Sequence, residues 1–160
     1  MIDATAAATT TPVHWTLVVD TADPHAQAAF WAAALNYVDE DHTALIEGLL
    51  DAGAAPPELS IRLPDGRRAW RDLAAVRHPG DSYEEKSGAG LGRRILFQRV
   101  PEEKTVKNRL HMDLHPGPDA RDAEVARLES LGASALRRVS EHGSTWVVMA
   151  DPEGNEFCVQ

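Results

Sequence analysis

The sequence predicts an α+β fold: two βαβββ units around one cleft, with an insertion in the first unit. Three observations carry this. Residues 146–160 read as strand, tight turn, strand. Alternating runs at 13–20, 93–100 and 108–115 each present one apolar and one polar-bearing face. A strand followed by an acid-capped helix occurs twice, starting at His14 and at His111, and further strands follow in both halves.

Taken in order, residues 1–11 are small and polar, and are expected to be a disordered tail. In residues 13–20, Val13, Trp15, Leu17 and Val19 share one face, and His14, Thr16 and Val18 the other. Asp23-Pro24 starts a helix, because Asp caps and Pro suits the first helical position. Its expected apolar stripe is Ala26, Ala29, Phe30, Ala33 and Leu35, bordered by Trp31, and Asn36 is its stop. Residues 37–39 make a short strand. A helix is expected over 43–52, a strand over 58–63, a turn at 64–66 and a surface loop over 78–92, while 70–77 reads equally as strand or short helix. In 93–100, Ile95 and Phe97 oppose Arg94, Leu96 and Gln98. In 108–115, Leu110, Met112 and Leu114 oppose His111, Asp113 and His115. Asp119 is the expected cap of a second helix, with Val125, Leu128 and Leu131 buried and Gly132 as its stop. A strand at 135–140 and a turn at 142–144 lead to the terminal hairpin. There Asp151-Pro152-Glu153-Gly154 is the turn. Phe157 and Val159 then face one way, and Glu156, Cys158 and Gln160 the other. The expected organisation is a tail at 1–11, a first unit at 12–102 with its insertion at about 40–92, and a second unit at 108–160.

Composition excludes several classes. A net charge of −9 over 160 residues argues against a general nucleic-acid binder. No apolar run approaches a membrane span, and Asp3 stands where a signal peptide needs a basic start, so a cytoplasmic protein is expected. The single cysteine, Cys158, excludes an intrachain disulfide and a multi-cysteine metal site. A helix covers one face of each sheet, so the faces bearing His14 and His111 are left open and would meet in the cleft.

The chain resembles the vicinal oxygen chelate superfamily, which includes glyoxalase I, extradiol dioxygenases, and bleomycin- and fosfomycin-resistance proteins. More narrowly, it is similar to bacterial glyoxalase-like domain proteins. The carriers are Arg94-Ile95-Leu96-Phe97-Gln98-Arg99-Val100-Pro101-Glu102, Lys104-Thr105-Val106-Lys107-Asn108-Arg109-Leu110-His111-Met112-Asp113-Leu114, and residues 150–159. The resemblance implies metal ligands at His14, Gln98 and His111. The final ligand of the relatives, a glutamate, falls at Cys158 here. It also implies a homodimer.

Two functional readings follow. In the first, one divalent metal binds a small oxygen-rich molecule, as in a lyase, isomerase or dioxygenase, with Asp113 or Glu156 moving the proton. In the second, the protein holds no metal and sequesters a metabolite or antibiotic, with Trp146, Cys158 and Leu96 among the contacts. Asp113 is alternatively a positioner of His111 or a solvated carboxylate paired with Arg109. Cys158 is alternatively a metal-binding thiolate or a neutral, half-buried thiol. Trp15 and Trp31 are expected between sheet and helix, and His115 at the surface.

Overall fold

The computed structural model describes residues 13–160, so the expected tail at 1–11 lies outside the described residues. The first half runs β1 (Leu17–Thr21), α1 (Pro24–Leu35), β2 (Val38–Asp39), α2 (Thr43–Asp51), β3 (Ser60–Arg62), β4 (Arg68–Trp70), β5 (Leu73–Arg77) and β6 (Arg94–Arg99). The second runs β7 (Asp113–Leu114), α3 (Arg121–Ser130), β8 (Ser134–Glu141), β9 (Ser144–Ala150) and β10 (Glu156–Val159). One sheet has the order β1-β6-β5-β2 and the other β7-β10-β9-β8; β3 and β4 form a separate hairpin. With α2, β3 and β4 set aside, both sheets follow one pattern. The first strand lies parallel to the last, and the others pair antiparallel. No helix is long and apolar enough to cross a membrane among the described residues.

Local chemistry explains the boundaries of α1. The Asp23 carboxylate accepts from the backbone N–H groups of His25 and Ala26, and Pro24 occupies the first turn. Asn36 ends the helix with φ at 54°, in the left-handed region where Asn is tolerated. The buried stripe differs from expectation: Gln27, Ala28, Phe30, Trp31 and Ala34 are buried, while Ala26, Ala29 and Ala33 are exposed. Nearly every residue of this helix is apolar, so its periodicity has no phase, and the two large rings decide which side turns inward.

Three further expectations are corrected. Helix α3 begins at Arg121 behind Ala120, with no side-chain cap, because residues 117–120 close a turn through Ala120 N–H and the Gly117 carbonyl. The strand expected over 108–115 shrinks to β7, and Leu110 is 80% exposed. Its backbone leaves the ladder where Asn108 N–H turns to the Glu156 carboxylate. Likewise β1 begins only at Leu17, and Trp15 is 77% exposed rather than packed beneath a helix.

One core joins the two halves. Phe30, Trp31 and Ala34 of α1 meet Val76, Ile95 and Phe97 of the first sheet. They also meet Val125 and Leu128 of α3, and Val147, Met149, Phe157 and Val159 of the second sheet. Trp31 packs edge-on against Phe157 at 5.2 Å, and its indole N–H donates to Asp151. The faces of both sheets turned away from this core are the surfaces on which a site can form.

Candidate ligand site on the second sheet

Alternation in β10 sends Phe157 and Val159 into the core and Cys158 to the opposite face. The ladder then sets its neighbours. Cys158 is opposite Asp113 on β7 and opposite Val148 on β9. His111 lies two residues before Asp113. The result is a group of three: ligand atoms of His111, Asp113 and Cys158 all lie within 4.8 Å of one another. His111 Nε2 is 3.4 Å from Asp113 Oδ1, and Asp113 Oδ2 accepts from Gln160 Nε2 at 2.6 Å. His111 and Asp113 are exposed, whereas Cys158 is buried.

Beside this polar group is an apolar patch in which Trp146 packs on Val139, Val148 and Cys158. Burial pushes the Cys158 thiol up, and the Asp113 carboxylate adds to that; Lys107 and Arg137 oppose it more weakly. The thiol is therefore neutral near neutral pH unless a cation displaces its proton. Glu156 is engaged elsewhere. Its carboxylate accepts from Asn108 N–H at 2.9 Å and pairs with Lys104 at 3.2 Å. The Asn108 bond is the main cause holding it below the usual carboxylate range, with Lys104 assisting.

Two hollows flank the group. One, of about 880 Å³, lies between β1, residues 100–112 and the turn before β10; Val18, Asp20, His111, Asn108 and Glu156 are in its wall. The other, of about 970 Å³, is lined by His14, Trp15, Tyr37, Arg93 and Asp113. His14 is exposed and shares this hollow with Asp113, but it is outside the three-residue group. Gln98 is exposed on the first sheet, in register with Asp20 and Leu73; Leu96 lies between Val18 and Ala75 on the same face. Arg109 makes no ion pair with Asp113 among the described residues; His111 is the partner instead. His115 is exposed, as expected.

The glyoxalase-like domain family matches residues 16–160. The chain belongs to that family. No curated protein matches its sequence. Solved structures share the fold at low identity. Fosfomycin resistance protein FosX from Mesorhizobium loti is 8% identical, with 94% of this chain and 92% of that chain covered and a TM-score of 0.56. A mutant of FosX from Listeria monocytogenes, complexed with Mn(II) and 1S,2S-dihydroxypropylphosphonic acid, is 9% identical, with 94% and 90% covered and a TM-score of 0.58. The bleomycin-binding protein of Streptomyces verticillus, complexed with copper(II)-bleomycin, is 13% identical, with 94% and 97% covered and a TM-score of 0.50. The fold is thus that of the glyoxalase/bleomycin resistance/dioxygenase superfamily.

A metal is the group such a fold raises, and the donor set here can be tested against it. One imidazole, one carboxylate and one thiol suit zinc or a similar borderline cation better than a hard, oxygen-seeking one. Three protein donors also leave a position open to a ligand. The residues present fit.

Proposed function

We propose that this glyoxalase-like protein binds a small oxygen-bearing molecule on the exposed face of its second sheet, through a divalent cation held by His111, Asp113 and Cys158. The convergence of these three donors within 4.8 Å, at the edge of two hollows, carries the reading. Such a cation would supply Lewis-acid polarisation of a bound oxygen. The chain's own residues do the rest. Gln160 fixes one oxygen of Asp113 and leaves the other toward His111. Trp146, half-buried and seated on buried Val139 and Val148, gives the ligand an apolar platform. Glu156 is occupied by Asn108 and Lys104, so it is not free to take a proton. His14, which shares a hollow with Asp113, serves the ligand rather than the cation.

Metal analysis of protein purified without chelator tests this, together with thermal shift on adding zinc. The expected result is bound metal that is lost in His111→Ala and Cys158→Ala and retained in His14→Ala. Metal retained in His111→Ala, or lost in His14→Ala, overturns the donor set. Protein that is metal-free and shows no thermal shift leaves the second reading, a metal-free small-molecule binder. The buried neutral thiol and its apolar patch favour that reading. A homodimer is part of the proposal; a light-scattering mass equal to the single 17.4 kDa chain would exclude it.

A further inference from the structure

Strand β8 pairs with β9 in register at Ser134–Ala150 and Ala135–Met149, and then slips. Opposite Val148 stands Arg137, not Leu136, because a bulge inserts one extra residue between Ala135 and Arg137. The slip changes every later facing. Without it, Leu136 and Arg138 would face with Val148 and Trp146. With it, Arg137 and Val139 do, and Arg138 turns to the helical side, where it pairs with Asp122 at 2.7 Å. Arg137 is exposed and has no ion-pair or hydrogen-bond partner among the described residues.

The four strands therefore carry one row on the face opposite the shared core: Arg137 and Asp113, exposed, at its ends, and Val148 and Cys158, buried, between them. Strands are spaced about 4.8 Å apart, so the guanidinium-bearing strand is about 10 Å from that of Cys158 and about 14 Å from that of Asp113. Between the ends, the half-buried ring of Trp146 packs on buried Val148 and is the accessible apolar surface. A cation without a partner, an apolar middle and a polar oxygen-seeking group at the far end form a graded surface. Its complement is a molecule with the same grading reversed.

We propose that Arg137 is a specificity-determining residue, and that the ligand is an elongated, partly apolar molecule carrying an anionic group about two strand spacings, or about 10 Å, from its oxygen-bearing end. This rests on the reading above that the second sheet's exposed face is the ligand site. It does not require the metal. The bulge is the device that re-aims the residue: it exchanges a leucine for an arginine in the row and sends the neighbouring arginine to a structural pair on the other face.

A hydroxybiphenyl carboxylate, with its two polar groups at opposite ends, and the corresponding neutral carboxamide are suitable probes for calorimetric titration. The carboxylate is expected to bind wild type about tenfold or more tightly than the carboxamide, in line with a charge-assisted hydrogen bond. Arg137→Gln should abolish that preference while leaving carboxamide affinity within about twofold, and Arg137→Lys should restore part of it. Arg138→Gln, on the other face, should keep it. Equal affinities in wild type, or a preference that survives Arg137→Gln, overturn the assignment. Trp146→Ala separates the two levels: carboxamide binding unaffected by it overturns the location of the site, whatever Arg137 does. Failure of both probes to bind wild type overturns both statements.

Discussion

Glu40 is a buried carboxylate that accepts from Arg94 Nε at 2.9 Å, from Arg94 Nη2 at 2.8 Å and from Gly90 N–H at 2.8 Å. Burial alone would push it up, but His42, Arg94 and Gly90 outweigh that and hold it at about 2, against an ordinary value of 4.5. Its neighbour His42 behaves in the opposite sense. Burial pushes the imidazole down, yet the Glu40 carboxylate and the Ser87 carbonyl outweigh it, so the value rises above 6.5. The signs set a window. Glu40 is depressed in the folded state, so its contribution is full above pH 4.5 and is lost as pH falls toward 2. That contribution is roughly 3 kcal/mol. His42 is raised, so its contribution is full below pH 6.5 and is lost as pH rises through its folded value. The network is therefore strongest between pH 4.5 and 6.5. Urea denaturation across pH should show Glu40→Gln with a flattened acid limb and His42→Gln with a flattened limb above pH 6.5. An acid limb unchanged in Glu40→Gln would remove Glu40 from the account.

The turn between β9 and β10 reaches across to the first half of the chain. Glu153 accepts from the Thr21 hydroxyl at 2.6 Å, from Ala22 N–H at 2.9 Å and from Asp23 N–H at 2.8 Å. These are the groups at the entry of α1, so a side chain of the second sheet secures a helix of the first. Glu153→Ala should lower unfolding stability by about 2–4 kcal/mol, the scale of two or three lost hydrogen bonds to a charge, with an unchanged urea m-value. A loss below about 0.5 kcal/mol would place the bonds among those that water replaces without penalty. Gly154 has φ at 85° and open space around its Cβ position, so Gly154→Ala isolates backbone strain and should cost about 1 kcal/mol. The turn itself is legible in Asp151-Pro152-Glu153-Gly154, because Pro and Gly state their dihedral preferences locally. The partners of Glu153 are not, since they lie 130 to 132 residues away in sequence and depend on packing. The same distinction explains β7. Leu110, Met112 and Leu114 do alternate, but a strand also needs a ladder, and β10 pairs with β7 at only two positions. In α1, apolar residues on all sides hide the direction of burial.

At the scale of the whole molecule, the pattern shared by both sheets is legible because each half contains local signals, a strand, a helix and a hairpin with turn residues, although the acid cap holds only for α1. The alternation that sends Cys158 to the face of β10 away from the shared core is legible in the same way. What brings Cys158 beside Asp113 is the parallel register of β10 and β7, which no local pattern encodes. The sequence pairs Asp113 with His111 and sets Cys158 at the end of a ligand set with His14 and Gln98, so the three-residue group itself is not legible there. The joint between the halves is equally non-local. Trp31 contacts Phe30 and Phe157, each at 5.2 Å, and its N–H reaches the buried Asp151 carboxylate. If this joint makes one cooperative body, both sheets should unfold together. Cys158, the chain's single cysteine, is a buried reporter on the second sheet, and far-UV circular dichroism reports the whole. In wild type, thiol labelling and circular dichroism should give one urea midpoint. Trp31→Phe should keep most of the ring packing but remove the donor to Asp151, lowering stability by about 1–3 kcal/mol with the midpoints still coincident. Trp31→Ala opens the joint itself and should cost about 3–5 kcal/mol. There the two probes should separate, labelling first, because the exposed face of the second sheet then opens without the first. Separate midpoints already in wild type would show that the shared core does not couple the halves.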